Sequence, residues 1–134
     1  MKVAFFSAQK YEMSFFNNLA SPDIKFEFFE QNLDHISVNC TQGFQAVCIF
    51  VNDDLNHAVL TSLHKNGVSL IALRCAGFNN VDIEFANTLG IKVVRVPAYS
   101  PEAVAEHCLA LILALSRKIP VSYTHLTLPT TPYV

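Results

Sequence analysis

Short apolar runs of strand length alternate along this sequence with stretches of helical periodicity, the pattern of a parallel sheet covered by helices. Five strands are expected, over residues 3–7, 25–29, 46–51, 69–73 and 92–96. Between them Met13, Phe16, Leu19 and Ala20 recur at helical spacing, as do Leu55, Val59, Leu60 and Leu63, and then Ile83, Ala86 and Leu89. The second connection, residues 31–44, is irregular. Gly67 and Gly90 fall just after the second and third helices, where a left-handed C-terminal cap favours glycine.

The order βαβαβαβαβ implies an α/β fold, a flavodoxin-like doubly wound parallel sheet, with ligands expected in the crevice beyond the carboxyl ends of the strands. Functional residues are therefore sought in strand-to-helix turns. Of the eleven Phe residues, Phe5, Phe6, Phe28 and Phe50 are read as core. A chain of 134 residues fits one domain and can hide about two-thirds of its unfolded surface. With 51% hydrophobic residues, 15% charged and a net charge of -2, the composition is that of a soluble globular protein. Its nine basic residues form no patch, which argues against nucleic acid as a partner.

The apolar run before Gln9, Lys10 and Glu12 is too short for a signal-peptide core or a membrane span, so a cytoplasmic location and no membrane partner are expected. Cys40, Cys48, Cys75 and Cys108 form no Cys-x-x-Cys pair and no zinc spacing, so reduced thiols and no metal are expected. Cys40 reads as loop-exposed, Cys48 and Cys108 as small hydrophobes, and Cys75 as lying beside a candidate site.

After the fifth strand a long apolar helix is expected from about residue 102 to 117, capped by Ser100, with Pro101 in its first position and Glu102 at the positive end of its dipole. Val104, Leu109, Ile112 and Leu115, among others, occupy nearly every side of it, so it expects cover from another domain or subunit. From Pro120 the character changes to a Thr- and Pro-rich stretch. Residues 120–134 resemble translated adapter read-through more than the end of a domain, with an extended Thr/Pro terminus as the alternative, and they are set aside for fold reasoning.

Two strand ends carry polar chemistry. Asp53 and Asp54 after the third strand suggest a receiver domain, but that would need an acidic pair after the first strand and a Lys after the fifth. Those positions read Ser7-Ala8-Gln9 and Val96-Pro97-Ala98, so capping of the next helix is the expected role of Asp53 or Asp54. The fourth strand runs into Arg74-Cys75-Ala76-Gly77-Phe78-Asn79-Asn80-Val81-Asp82, a glycine-containing turn that opens a helix. Backbone N–H groups there can approach a ligand, and the helix N-terminus favours an anion such as a carboxylate.

Three stretches, residues 46–54, residues 71–82 (IALRCAGFNNVD) and residues 92–107 (KVVRVPAYSPEAVAEH), resemble the fermentative D-lactate dehydrogenases of bacteria, within the D-isomer-specific 2-hydroxyacid dehydrogenase family. The similarity covers residues 1–119. The resemblance implies that backbone N–H groups at Ala76 and Gly77 hold the substrate carboxylate, that Tyr99 reaches the substrate and that Phe78 walls the pocket. It also implies NAD as cofactor, a small 2-oxo or 2-hydroxy acid as substrate, a homo-oligomer, and a helix from Pro101 that crosses into the nucleotide-binding domain and joins the subunit interface.

Other expected parts are missing. Gly43, Gly67, Gly77 and Gly90 cannot build a Gly-x-Gly-x-x-Gly turn, so the NAD-binding Rossmann domain is missing. The family's catalytic Arg, Glu and His lie downstream of Ile119, and none of His35, His57, His64, His107 or His125 matches that His. His107 reads as a domain-interface residue, His57 and His64 as solvated helix positions and His35 as a loop residue. The chain thus reads as a substrate-side domain (1–100), a crossover helix (101–119) and an unrelated tail (120–134), part of an enzyme converting pyruvate and NADH to D-lactate and inactive alone. A stand-alone flavodoxin-like ligand-binding or regulatory module is the alternative.

Overall fold

In the computed structural model, which describes residues 1–19 and 21–119, the strands β1 (Lys2–Phe5), β2 (Lys25–Phe28), β3 (Ala46–Ile49), β4 (Leu70–Leu73) and β5 (Lys92–Arg95) pair in parallel. Their order is β2-β1-β3-β4-β5, the flavodoxin-like order expected from the alternation of apolar runs. The register sets Val3 opposite Ala46, Ala46 opposite Leu70 and Leu70 opposite Lys92. The expected strands are all present, each shorter by a residue or more than the apolar run that announced it.

Side chains alternate across the sheet and meet a different helical layer on each face. Ala4, Val47, Ile49, Ile71 and Leu73 pack with Val59, Leu60 and Leu63 of helix α2 (His57–Lys65) and with Ala86 of helix α3 (Ile83–Thr88). Val3, Phe5, Ala46 and Cys48 meet Met13 and Phe16 of helix α1 (Lys10–Leu19), and Phe5 lies edge-on to Phe16 at 4.7 Å between ring centroids. All four residues of central β3 are buried, as a strand covered on both faces requires.

Helix ends follow local chemistry. Asn56 caps α2 by accepting from the N–H groups of Ala58 and Val59, and Asp82 caps α3 by accepting from Phe85 N–H at 2.8 Å. The expected caps, Asp53 and Asp54, therefore give way to Asn56, because the chain runs on past both before it turns helical. Gly67 (φ +89°) and Gly90 (φ +72°) adopt the left-handed conformation foreseen for them after α2 and α3. Residues 31–44 carry only a 3₁₀ turn, Ser37–Thr41, with Thr41 wholly buried and Cys40 exposed. Phe5 and Phe6 are wholly buried and Phe28 partly so. Phe50 departs from the core reading, being 37% exposed, because β3 ends at Ile49 and Phe50 rises beyond the sheet's carboxyl edge.

The chain divides into two units, Met1–Tyr99 and a second beginning at Ser100. In the second, helix α4 (Pro101–Ser116) has the expected start: Ser100 Oγ accepts from Ala103 N–H, Pro101 is the first helical residue and Glu102 lies in the first turn. Among the described residues no helix is long and apolar enough to cross a membrane. The adapter-like reading of residues 120–134 falls outside the described residues.

Candidate functional site

In a sheet of this order the crevice between the carboxyl ends of β1 and β3 is the usual ligand position. Here the chain fills it. Ser7, in the left-handed region at φ 54°, donates its hydroxyl to Asp53 Oδ1 at 2.7 Å, and Leu33 N–H donates to the same oxygen at 2.8 Å. Phe50 N–H donates to Asp53 Oδ2, so this carboxylate, 1% exposed, has partners on both oxygens. Arg74, just past β4, reaches over the same place: Nη1 donates to Phe6 O at 3.0 Å, Nη2 to Ser7 O at 3.2 Å and Nε to Glu12 Oε1 at 3.1 Å. Its guanidinium carbon stands 4.1 Å from the centroid of the Phe5 ring. Sequence reasoning singled out neither Arg74 nor the burial of Asp53, because no local pattern marks a side chain most of whose partners are 20 to 68 residues away.

The open part of the edge lies one strand further on. Among the described residues no acceptor meets the N–H of Ala76 or of Gly77. A Cβ added at Gly77 would find no atom within 4 Å, and Gly77 is outside the left-handed region, so its backbone conformation does not itself require glycine. A cavity of about 330 Å³ adjoins this turn, lined by Phe50, Arg74, Cys75, Ala76, Val96 and Tyr99. The structure thus brings Ala76 and Tyr99 to one cavity, with Tyr99 itself 77% exposed. Phe78 lines a different one, of about 190 Å³, with Ile83, Asn87, Val93 and Arg95.

The turn opens a helix where expected, but the N-terminus of that helix is already occupied by a carboxylate of the chain. α3 begins at Ile83, has six residues, and its cap position is taken by the Asp82 carboxylate. The Phe85 N–H of its first turn therefore serves Asp82, whose pKa is held down by that bond and then by His57 Nε2 at 2.8 Å. His57 also stacks on Phe85 at 4.1 Å, so this exposed helix position is paired rather than simply solvated.

Arg95, unmarked by the sequence reading, holds the turn from the β5 side. Its Nη1 donates to Ala76 O at 2.8 Å and Pro97 O at 3.3 Å, and its guanidinium lies 4.8 Å from the Phe78 ring centroid. Cys75 donates its thiol to Gly77 O at 3.2 Å, and burial pushes its pKa up, so it is a neutral thiol rather than a nucleophile. Two unpaired N–H groups, a largely apolar cavity and one phenol can hold and orient a small carboxylate.

The catalytic-domain sequence pattern of the D-isomer specific 2-hydroxyacid dehydrogenases matches residues 3–130, running past Ile119, where the motif resemblance stops. A putative D-lactate dehydrogenase of Dictyostelium discoideum is 50% identical over 118 residues, which is 88% of this chain and 35% of that protein. The D-lactate dehydrogenase of Escherichia coli is 48% identical over 92% of this chain and 38% of its own length, and its apo structure superimposes with a TM-score of 0.78, with 40% of that chain covered. A D-lactate dehydrogenase of Aquifex aeolicus, complexed with NAD and lactic acid, is 28% identical with a TM-score of 0.77 over 96% of this chain and 38% of that one. The chain therefore spans little more than a third of the curated relatives it matches. Sequence match, strand order and superposition agree that the chain belongs to the D-isomer specific 2-hydroxyacid dehydrogenase family and carries the fold of its catalytic domain.

Proposed function

We propose that this chain is the substrate-side part of an NAD-dependent D-2-hydroxyacid dehydrogenase that reduces a small 2-oxo acid, with pyruvate to D-lactate the favoured reaction. The observation that carries the reading is the pair of N–H groups at Ala76 and Gly77 that, among the described residues, meet no acceptor, in a turn whose Ala76 lines one cavity with Tyr99. In this reading the substrate carboxylate accepts from both, as backbone donors bind anions without the cost of ordering a side chain. The Tyr99 hydroxyl reaches the substrate from the cavity side, and Phe78 closes the turn from its other flank.

NAD supplies the hydride in such an enzyme, and the residues of this chain do not fit it. Gly43, Gly67 and Gly90 sit singly in left-handed turns, and none stands in a Gly-x-Gly-x-x-Gly run that a pyrophosphate could approach. No step of hydride or proton transfer is assigned to the residues present; their work is to bind the substrate and keep water from one side of it. The proposed layout is a substrate-side domain (1–100), a crossover helix (101–119) leading to the cofactor domain and subunit interface, and a tail (120–134) that the family pattern follows only to residue 130, in a cytoplasmic homo-oligomer.

The test is to extend the reading frame from the source DNA, express the complete protein, and follow NADH absorbance with pyruvate. Turnover by the complete protein and none by the 134-residue chain is expected. Turnover by the short chain, or none by the complete protein with any 2-oxo acid, overturns the reading.

A further inference from the structure

The geometry points to Arg95 as a positioning residue for the carboxylate turn, an inference that rests on the dehydrogenase reading and deepens it. Two successive peptide units make up that turn, Cys75–Ala76 and Ala76–Gly77, and each has its carbonyl tied to the end of β5. Val96 N–H donates to Cys75 O at 3.3 Å, and Arg95 Nη1 donates to Ala76 O at 2.8 Å. The N–H of a trans peptide points opposite to its own carbonyl. Drawing both carbonyls towards β5 therefore turns the Ala76 and Gly77 N–H groups outward, where among the described residues nothing meets them.

Arg95 does more than aim. A guanidinium on a peptide oxygen polarises the whole amide, so the Gly77 N–H becomes a stronger donor than an ordinary backbone group. The same guanidinium donates to Pro97 O at 3.3 Å and lies over the Phe78 ring, which couples the turn to the segment leading to Tyr99. One side chain thus bridges the carboxylate donors, the Phe78 ring and the approach to Tyr99. A planar fork can do this, whereas a lysine ammonium can reach one carbonyl but neither forks nor stacks in the same way. Since Arg95 is an exposed residue at the end of an edge strand, its packing contribution to the core is small.

The experiment compares the complete enzyme with its Arg95→Met and Arg95→Lys variants. Arg95→Met is expected to raise KM for pyruvate roughly tenfold, the scale of one charge-assisted hydrogen bond, with KM for NADH within about twofold and little change in Tm. Arg95→Lys is expected to recover part of the pyruvate affinity. If Arg95→Met leaves the pyruvate KM unchanged, or lowers only Tm and the active fraction, the positioning role falls and the dehydrogenase reading stands. If the unmodified complete enzyme reduces no 2-oxo acid, both fall together.

Discussion

Arg74 Nε lies 3.1 Å from Glu12 Oε1, and the two side chains keep only 9% and 16% of their surface in solvent. The pair joins the end of β4 to the first turn of α1 across the ends of β3 and β1, with Phe6 O and Ser7 O taking further donors of the same guanidinium. An ion pair so placed is a weak source of net stability while intact. Removing one partner is costly, because the other stays buried without compensation. Arg74→Met should therefore cost about 3–5 kcal/mol of unfolding free energy, a large share of what a domain of this size has. Glu12→Gln, which keeps an acceptor for Nε, should cost less, about 1–2 kcal/mol. Urea titration of both variants measures this, and an Arg74→Met variant as stable as the parent would mean that the crevice is not held by Arg74.

Cys48 and Cys40 should part company in a labelling experiment. Burial is the first cause that lifts the Cys48 thiol to about 11, while Cys40 is exposed at the surface. The thiolate is the reacting species, so iodoacetamide at neutral pH should modify Cys40 and spare Cys48 until the chain unfolds. Peptide mapping by mass spectrometry reads the outcome, and early modification of Cys48 would show that β3 opens far more readily than a central strand should.

The fold was legible where physics is local. Val47, Ile49, Ile71 and Leu73 announce buried parallel strands by composition alone, and Gly67 and Gly90 announce helix ends because few other residues tolerate the left-handed region. The site was legible only in part. Ala76, Gly77 and Tyr99 came from a motif resemblance, and the structure gathers Ala76 and Tyr99 around one cavity. What escaped were long-range polar partnerships: Asp53 with Ser7 and Leu33, Arg74 with Glu12, Arg95 with Ala76. An aspartate after a strand looks the same in sequence whether it caps the next helix or is buried beneath a serine, and only the folded geometry separates the two. The α3 start was legible from the apolar spacing of Ile83, Ala86 and Leu89; the cap by Asp82 was not, since an aspartate before a helix looks the same in sequence whether or not it accepts from the first turn.

Asp82 gives the chain an acid-sensitive helix cap. Its carboxylate accepts from Phe85 N–H and meets His57, and these hold its folded pKa below the ordinary aspartate value. A depressed carboxylate pKa adds stability that is present above the unfolded value and lost as pH falls through the folded one. The stability difference between the parent chain and Asp82→Ala should therefore be constant near neutrality and shrink below about pH 4, as the parent's carboxylate protonates. Denaturation midpoints of both proteins across that range provide the check; a difference that persists unchanged in strong acid would show that Asp82 acts by packing rather than charge.

Gly77→Ala separates folding from binding most cleanly. A Cβ at this position meets no atom within 4 Å, and the backbone is not left-handed, so the substitution adds a methyl group without a clash or a strained φ. Removing glycine also restricts the unfolded chain, which favours the folded state by about 0.4–1 kcal/mol where the conformation is compatible. The variant should thus be as stable as the parent or slightly more so. If the substrate carboxylate accepts from the Gly77 N–H, a methyl group on the adjoining Cα crowds its approach, so binding should suffer where stability does not. In the complete enzyme a rise of roughly tenfold or more in KM for pyruvate is expected, with KM for NADH little changed. A variant that loses stability would show that Gly77 is needed by the turn itself, and one that keeps both stability and pyruvate affinity would remove Ala76 and Gly77 as the carboxylate donors.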